Sequence, residues 1–221
     1  MFDITKLALK IPNFFTHEEC DRLIKEFEQR KEESLFESSN DIRVDKVKTS
    51  NYKVVSLQPN TNNFNLVKER TNKVINIYID YLEKPKYFHT QKLKNSLNYS
   101  HNYRIMKYET GAKIHPHTDY RPHTYGSITF NLNDDYEGGE FKFFNGNYTI
   151  PLGKGDALIF PADFYWVHEV TSVTKGCRYS VNSFICEFSE EVVYKLNTIA
   201  PNMQTSYLRN APQDELLGPY N

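Results

Sequence analysis

The chain has 221 residues, a formal net charge of −1 and 39% hydrophobic residues, and its aromatics are dominated by 16 Tyr and 15 Phe. Balanced charge leaves no basic footprint for a nucleic-acid partner, and no apolar run approaches the ~18 residues that a membrane span requires. Three scattered cysteines, Cys20, Cys177 and Cys186, make no disulfide framework, and MFDITKLALK has no apolar leader, so the expectation is a cytoplasmic protein with reduced thiols.

In chain order, IPNFFTHEECDRLIKEFEQRK reads as a strand and then a helix. Thr16 is the expected N-cap, Glu19 closes a capping box and Phe15 supplies half of a hydrophobic staple. Cys20, Leu23, Ile24 and Phe27 give that helix one apolar face. The polar run from Glu32 to Asn40 reads as a loop, and Tyr52 to Leu57 as a short strand. A second helix is expected from Phe64 to Leu82, with Val67, Val74, Ile75, Ile77, Tyr78 and Tyr81 as its buried stripe and Pro85 as its stop. Both helices are expected to buttress a sheet.

From Tyr99 the pattern changes to short strands punctuated by Gly- and Asp-rich turns: SHNYRIMKYE, KIHPHTD, Tyr125 to Leu132, EFKFF, NYTIPL, GDALIFP, WVHEV and RYSVNSFICEF. Such spacing predicts an antiparallel sandwich or closed barrel. The whole chain is expected to be one domain, with a helix-and-strand support over 1–98, a β core over 99–189, and a C-terminal helix and tail over 190–221. The fold class is mainly β with supporting helices (α+β), the N-terminal helices packed on one sheet.

The core contains His117, Asp119 and His168, followed ten positions on by Arg178. Two residues apart on a strand, His117 and Asp119 are expected to share a face, and His168 to arrive from a neighbouring strand. Singly these are a strand histidine, a turn aspartate and a half-buried histidine beside Trp166. Together, two imidazoles and a carboxylate occupy one face of an octahedral Fe(II) and leave three positions for chemistry. His115 has the parity of His117 and is the alternative ligand, but would stand four residues from Asp119. His123, in a Pro-containing loop, is expected to face solvent. Arg178 is a permanently charged fork suited to a carboxylate.

Phe130, Phe141, Phe143, Phe160 and Trp166 are candidates for dry walls around the metal, and Trp166, two residues from His168, for facing the substrate. Tyr120, Arg121, His123 and Tyr125 follow Asp119 and are expected to rim the mouth, Tyr120 and Arg121 as substrate contacts. The acidic NDDYEGGE reads as a hairpin turn and not as a second metal site.

From Tyr103 to Phe188 the sequence resembles the iron- and 2-oxoglutarate-dependent dioxygenases, in particular their prolyl 4-hydroxylase-like branch. The residues that carry the resemblance are RIMKYETGAKIHPHTD, YEGGEF, GKGDALIFP and HEVTSVTKGCRYSV, with IPNFFTHEECDRLI similar to that branch's opening. The resemblance implies a double-stranded β-helix (jelly roll, cupin-like) core, with His117, Asp119 and His168 holding Fe(II) and Arg178 pairing with the distal carboxylate of 2-oxoglutarate. Lysine often stands at that last position in the branch. Tyr108 matches a tyrosine lining the cosubstrate pocket. Ser180 is placed to add a hydroxyl to the same carboxylate, and Asn131 stands where some relatives carry a cosubstrate-binding tyrosine.

The implied activity is hydroxylation of an unactivated C–H bond, foremost prolyl 4-hydroxylation of a proline-containing peptide or protein, with O2 consumed and ascorbate as reductant. Asp119 disfavours halogenation, which requires a small residue there. Phe184 stands where the nucleic-acid dealkylases carry a second arginine. Hydroxylation of a free amino acid or small metabolite is the alternative within this chemistry. A non-catalytic cupin-like metal-binding protein is the alternative outside it, and leaves Arg178 without a role.

Overall fold

A computed structural model describes residues 3–41, 46–85, 97–189, 191–192 and 194–195. The C-terminal helix and tail expected over 190–221 lie for the most part outside the described residues.

The first strand, β1 (Leu9–Ile11), is shorter than expected, and the chain then turns through Asn13, which has a φ of 52°. The Asp156 carboxylate fixes that turn, accepting from the Asn13 amide at 3.0 Å and pairing with Lys10 at 2.8 Å. Helix α1 (His17–Gln29) starts with the capping box: Thr16 Oγ1 accepts from the Glu19 amide and the Glu19 carboxylate accepts from the Thr16 amide. Its buried residues are Cys20, Leu23 and Phe27.

The run expected as a loop is instead a 3-10 turn (Lys31–Glu33) followed by β2 (Leu35–Asp41), which pairs antiparallel with β3 (Lys46–Ser56). This hairpin forms the sheet edge, where cross-strand backbone bonds hold a strand without apolar alternation, so polarity misleads there. Leu35 and Phe36 are exposed on it. Helix α2 (Asn62–Glu83), capped by Thr61, buries Val67, Val74, Ile75 and Tyr78 as expected, but turns Ile79 and Leu82 inward where Ile77 and Tyr81 were expected.

Ten further strands follow: β4 (Tyr99–Tyr108), β5 (Ile114–His117), β6 (Thr124–Asn131), β7 (Glu137–Gly138), β8 (Phe141–Phe143), β9 (Tyr148–Ile150), β10 (Ala157–Pro161), β11 (His168–Val170), β12 (Val173–Lys175) and β13 (Arg178–Cys186). A seven-stranded sheet runs in the order β1-β10-β6-β13-β4-β3-β2, a four-stranded sheet in the order β5-β11-β8-β9, and β12 pairs with β7. Every pairing is antiparallel.

Strand alternation divides the apolar residues into two cores. Ile105, Ile128, Phe130, Ile159, Val181 and Ile185 of the large sheet face α1 and α2. Met106, Tyr108, Leu158 and Phe160 face the other way, onto Ile114, Phe141, Phe143 and Val170 of the small sheet. The result is the jelly-roll architecture, with helices buttressing one face and the space between the sheets left for chemistry. Phe130 lies on the helix side, against Phe14 and Phe15 (centroids 6.1 and 4.8 Å), and so is not a wall of that space. Among the described residues, no helix is long and apolar enough to cross a membrane.

Candidate active site

His117 ends β5 and pairs in register with His168, the first residue of β11. The strand stops at His117, so Asp119 reaches the site from the segment after it and not by shared strand parity, as expected from the spacing. It does so because Ser127 of β6 donates a 2.6 Å hydrogen bond to Asp119 Oδ2, bringing the carboxylate back to the sheet.

Asp119 Oδ1 lies 3.5 Å from His117 Nε2, and Oδ2 lies 3.4 Å from His168 Nε2. The three side chains offer one ligand atom each within 4.8 Å of one another. Both imidazoles are turned by main-chain carbonyls: His117 Nδ1 meets His115 O at 2.8 Å, and His168 Nδ1 meets Trp166 O at 3.0 Å. A proton on each Nδ1 leaves the Nε2 lone pairs aimed at Asp119, the arrangement that metal-binding histidines use.

Electrostatics agree. Burial holds the His168 imidazole neutral, down to about 4, and the neighbouring His117 adds to the effect. Burial opposes charge on Asp119 too, but the two imidazoles and the Ser127 hydroxyl overcome it and keep the carboxylate ionised well below its usual range. At His117 the Asp119 carboxylate outweighs burial and raises the pKa above the ordinary 6.5. Two nitrogen donors and an anionic oxygen around one point fit a divalent first-row metal. His115, the alternative ligand, contributes its carbonyl to this arrangement.

Arg178 begins β13 opposite Tyr108 and is 1% exposed. Its guanidinium lies 5.0 Å over the Tyr108 ring, its Nε has no hydrogen-bond partner, and no carboxylate pairs with it among the described residues. A buried, unpaired cation is costly unless a ligand supplies the anion, so this pocket fits a carboxylate. Burial pushes the Tyr108 phenol up to about 12, which keeps it a donor, and the buried Ser180 hydroxyl lies beside it.

The turn read as a hairpin also seats the arginine's stem. A Cβ on Gly138 would stand 2.2 Å from Ser172 O, which leaves no room for a side chain, and one on Gly139 (φ 62°) would stand 3.0 Å from Arg178 Cδ and press on the arginine's stem. Asn131 is not free for a cosubstrate. Its amide donates to the carbonyls of Asn133, Leu152 and Gly153, and its Oδ1 accepts from the Tyr136 hydroxyl.

Trp166 is 1% exposed, packed on Phe143 (5.4 Å) and Phe144 (5.2 Å); it belongs to the wall behind His168 and does not face a substrate. Phe141, Phe143 and Phe160 surround the His168 ring. Tyr120 and Arg121, on the segment that follows Asp119, are exposed, and Tyr120 meets Phe164 edge-on at 6.0 Å while Phe164 contacts Tyr165. His123 is half-buried against Phe188, with a φ of 67°, and does not simply face solvent.

Ser127 went unread in the sequence, although Ser127, Thr129 and Asn131 stand at period two in an apolar strand. Glu37, Tyr52 and Arg104 also went unread: the Tyr52 ring stacks on Tyr108 at 5.0 Å, its hydroxyl donates to Glu37 Oε2 at 3.0 Å, and Arg104 pairs with Glu37 Oε1.

The family model of the 2OG-Fe(II) oxygenase superfamily matches residues 103–186, the segment that carries the triad and Arg178. A stretch of 84 residues of this chain is 32% identical to the multifunctional procollagen lysine hydroxylase and glycosyltransferase of Caenorhabditis elegans. That stretch is 37% of this chain and only 12% of the relative. In fold, the chain is similar to a Pseudomonas putida prolyl-4-hydroxylase, with a TM-score of 0.62 and 16% identity over 83% of this chain and 94% of that one. It is equally similar to a Trichoplax adhaerens prolyl hydroxylase in complex with a hypoxia-inducible factor peptide fragment, with a TM-score of 0.62 and 16% identity over 89% and 88% of the two chains.

Proposed function

We propose that the chain is an iron(II)- and 2-oxoglutarate-dependent dioxygenase that hydroxylates an unactivated C–H bond, foremost in a prolyl residue of a peptide or protein. The observation that carries this reading is Arg178, a buried cation with no carboxylate partner among the described residues, on the face of the large sheet turned toward the small sheet that carries His117 and His168. A metal-binding protein without turnover gives that arginine no work.

His117, Asp119 and His168 would hold the iron, and Arg178 the distal carboxylate of 2-oxoglutarate, with the Tyr108 and Ser180 hydroxyls beside it. Bound there with O2, iron and 2-oxoglutarate supply an oxidant that turns C–H into C–OH, with succinate and carbon dioxide as coproducts and ascorbate as the reductant that maintains Fe(II). The chain's own part is positioning. Ser127 fixes one oxygen of Asp119, the carbonyls of His115 and Trp166 fix both imidazoles, and Phe141, Phe143 and Phe160 exclude water on the His168 side.

A peptide substrate is supported by the Trichoplax neighbour, which holds a peptide fragment on the same fold, and by the exposed Tyr120, Phe164 and Tyr165. Lysyl hydroxylation is a second reading, favoured by the lysine hydroxylase that matches the core in sequence. Incubation of a pooled library of Pro- and Lys-containing peptides with Fe(II), ascorbate and 2-oxoglutarate, followed by fragment mass spectrometry, decides between them. One added oxygen on proline is expected. Oxygen on lysine selects the second reading, and succinate production with free amino acids alone overturns the peptide substrate.

A further inference from the structure

The inner face of the large sheet carries a second group of donors that neither metal nor cosubstrate uses. Arg104 and Asn182 are partners in register, four residues along β4 and β13 from the Tyr108–Arg178 pair and on the same face. That separation is ~13 Å along the strands. The row continues to Thr129, which pairs with Asn182 and stands two residues from Ser127, the residue that holds Asp119. Arg104 and Asn182 therefore lie between the Arg178 row and the row of Ser127 and Phe184, on the face of the large sheet turned toward the small sheet that carries His117 and His168.

Arg104 is 5% exposed, and its Nε has no hydrogen-bond partner among the described residues. One terminal nitrogen is held by Glu37 Oε1, while Glu37 Oε2 accepts from Tyr52, so the hairpin of β2 and β3 orients the guanidinium from behind. Asn182 uses its Oδ1 to accept from Thr129 at 3.1 Å, which leaves its Nδ2 hydrogens without a partner among the described residues. The buried Arg104 Nε is thus a donor without an acceptor, which is rarely left so in a folded protein, and the Asn182 amide beside it is half-buried.

The charge of the pair narrows the ligand. Arg104 is already neutralised by Glu37, so a second carboxylate would gain little attraction and would meet the Glu37 charge. A neutral acceptor gains both donors without that repulsion. We propose that Arg104, oriented by Glu37, and Asn182 together bind a main-chain carbonyl of the peptide substrate and so set the depth at which the chain crosses the iron. This rests on the peptide reading above.

The test uses the full chain loaded with Mn(II) and 2-oxoglutarate under nitrogen, and calorimetric titration with two kinds of probe. One is an alternating Pro-Lys peptide, acetylated and amidated so that it carries both candidate side chains and no carboxylate. The others are free L-proline and L-lysine. The wild type is expected to bind the blocked peptide, and Arg104→Gln and Asn182→Ala each to weaken it about tenfold or more, the loss expected for a buried hydrogen bond.

Asn182→Ala leaves the ion pair intact, and it decides the matter alone if Arg104→Gln does not melt cooperatively. Unchanged affinity in a folded variant overturns the assignment while leaving the peptide reading in place. If the wild type binds the free amino acids and not the blocked peptide, or binds neither, the carbonyl assignment and the peptide reading both fall.

Discussion

His117 and His168 face each other across the β5–β11 register with ring centroids 4.3 Å apart, each turned by a main-chain carbonyl two residues before it in sequence. The two imidazoles are therefore set by backbone geometry, and only Asp119 depends on a side chain, Ser127, for its position. Ala in place of His117, Asp119 or His168 is expected to abolish iron-dependent succinate production while circular dichroism shows the fold retained. Ser127→Ala is expected to lower metal affinity by about 10- to 100-fold, the usual cost of losing a partner that orients a ligand. Wild-type turnover in any of the three ligand variants would remove that residue from the set.

Arg178→Ala is expected to raise the apparent KM for 2-oxoglutarate by roughly 30-fold or more, from the ~2–5 kcal/mol that a buried charge-assisted pair is worth. Arg178→Lys recovers part of this, since charge is kept and the fork is lost. Arg178→Met removes an unpaired buried charge and is expected to raise the melting temperature without cosubstrate while abolishing the further rise that 2-oxoglutarate gives with metal present. Unaltered cosubstrate titrations in Arg178→Ala would place the anchor elsewhere.

Asn131→Ala separates architecture from chemistry. Its amide serves the carbonyls of Asn133, Leu152 and Gly153, so its loss is expected to cost about 1–3 kcal/mol of stability in denaturant unfolding. The KM for 2-oxoglutarate is expected to stay near wild type. A rise as large as that in Arg178→Ala would return Asn131 to the cosubstrate pocket.

Metal affinity is expected to fall with pH, and the sign follows from His117. Its pKa is raised by Asp119 above the ordinary 6.5 in the metal-free protein, so as pH falls the imidazole takes up a proton sooner than a free histidine would, and a metal must displace that proton. His168, held down to about 4, is already neutral near neutral pH and releases nothing. Calorimetry in buffers of different ionisation enthalpy should find proton release on metal binding that grows as pH is lowered toward and below the His117 value. The release should diminish as pH rises through the His117 value.

Replacing Tyr120 and Arg121 together with Ala is expected to lower coupled peptide hydroxylation several-fold and to spare 2-oxoglutarate decay without peptide. Both side chains are exposed on the segment that follows Asp119, whereas Arg178 and His168 are buried. Equal coupled rates in the double variant and the wild type would mean that the substrate enters from another side.

Much of this was legible because strand parity and helix periodicity are short-range codes. The Thr16–Glu19 capping box, the buried face of α1 and the division of β13 into Arg178 and Ser180 on one side and Val181 on the other all follow from local spacing. Asp119 reached the right place by the wrong route, since a hydrogen bond to another strand and not its own parity brings it in. The β2–β3 hairpin was missed because an edge strand is held by backbone pairing and needs no apolar signature. Phe130 was placed on the wrong face although Ser127 and Thr129 show the inward parity of β6. The roles of Asn131 and Trp166 depend on what the fold brings beside them, which spacing does not encode.

Arg178, without a carboxylate partner among the described residues, has a consequence for the protein's lifetime. Whatever anion completes that pocket binds the native state and not the unfolded chain, and stabilises it by an amount that grows with the logarithm of ligand concentration. The fraction transiently open to proteases should therefore shrink as the cosubstrate accumulates. Abundance in a cell would then track the supply of a metabolite through degradation alone, with no change in synthesis.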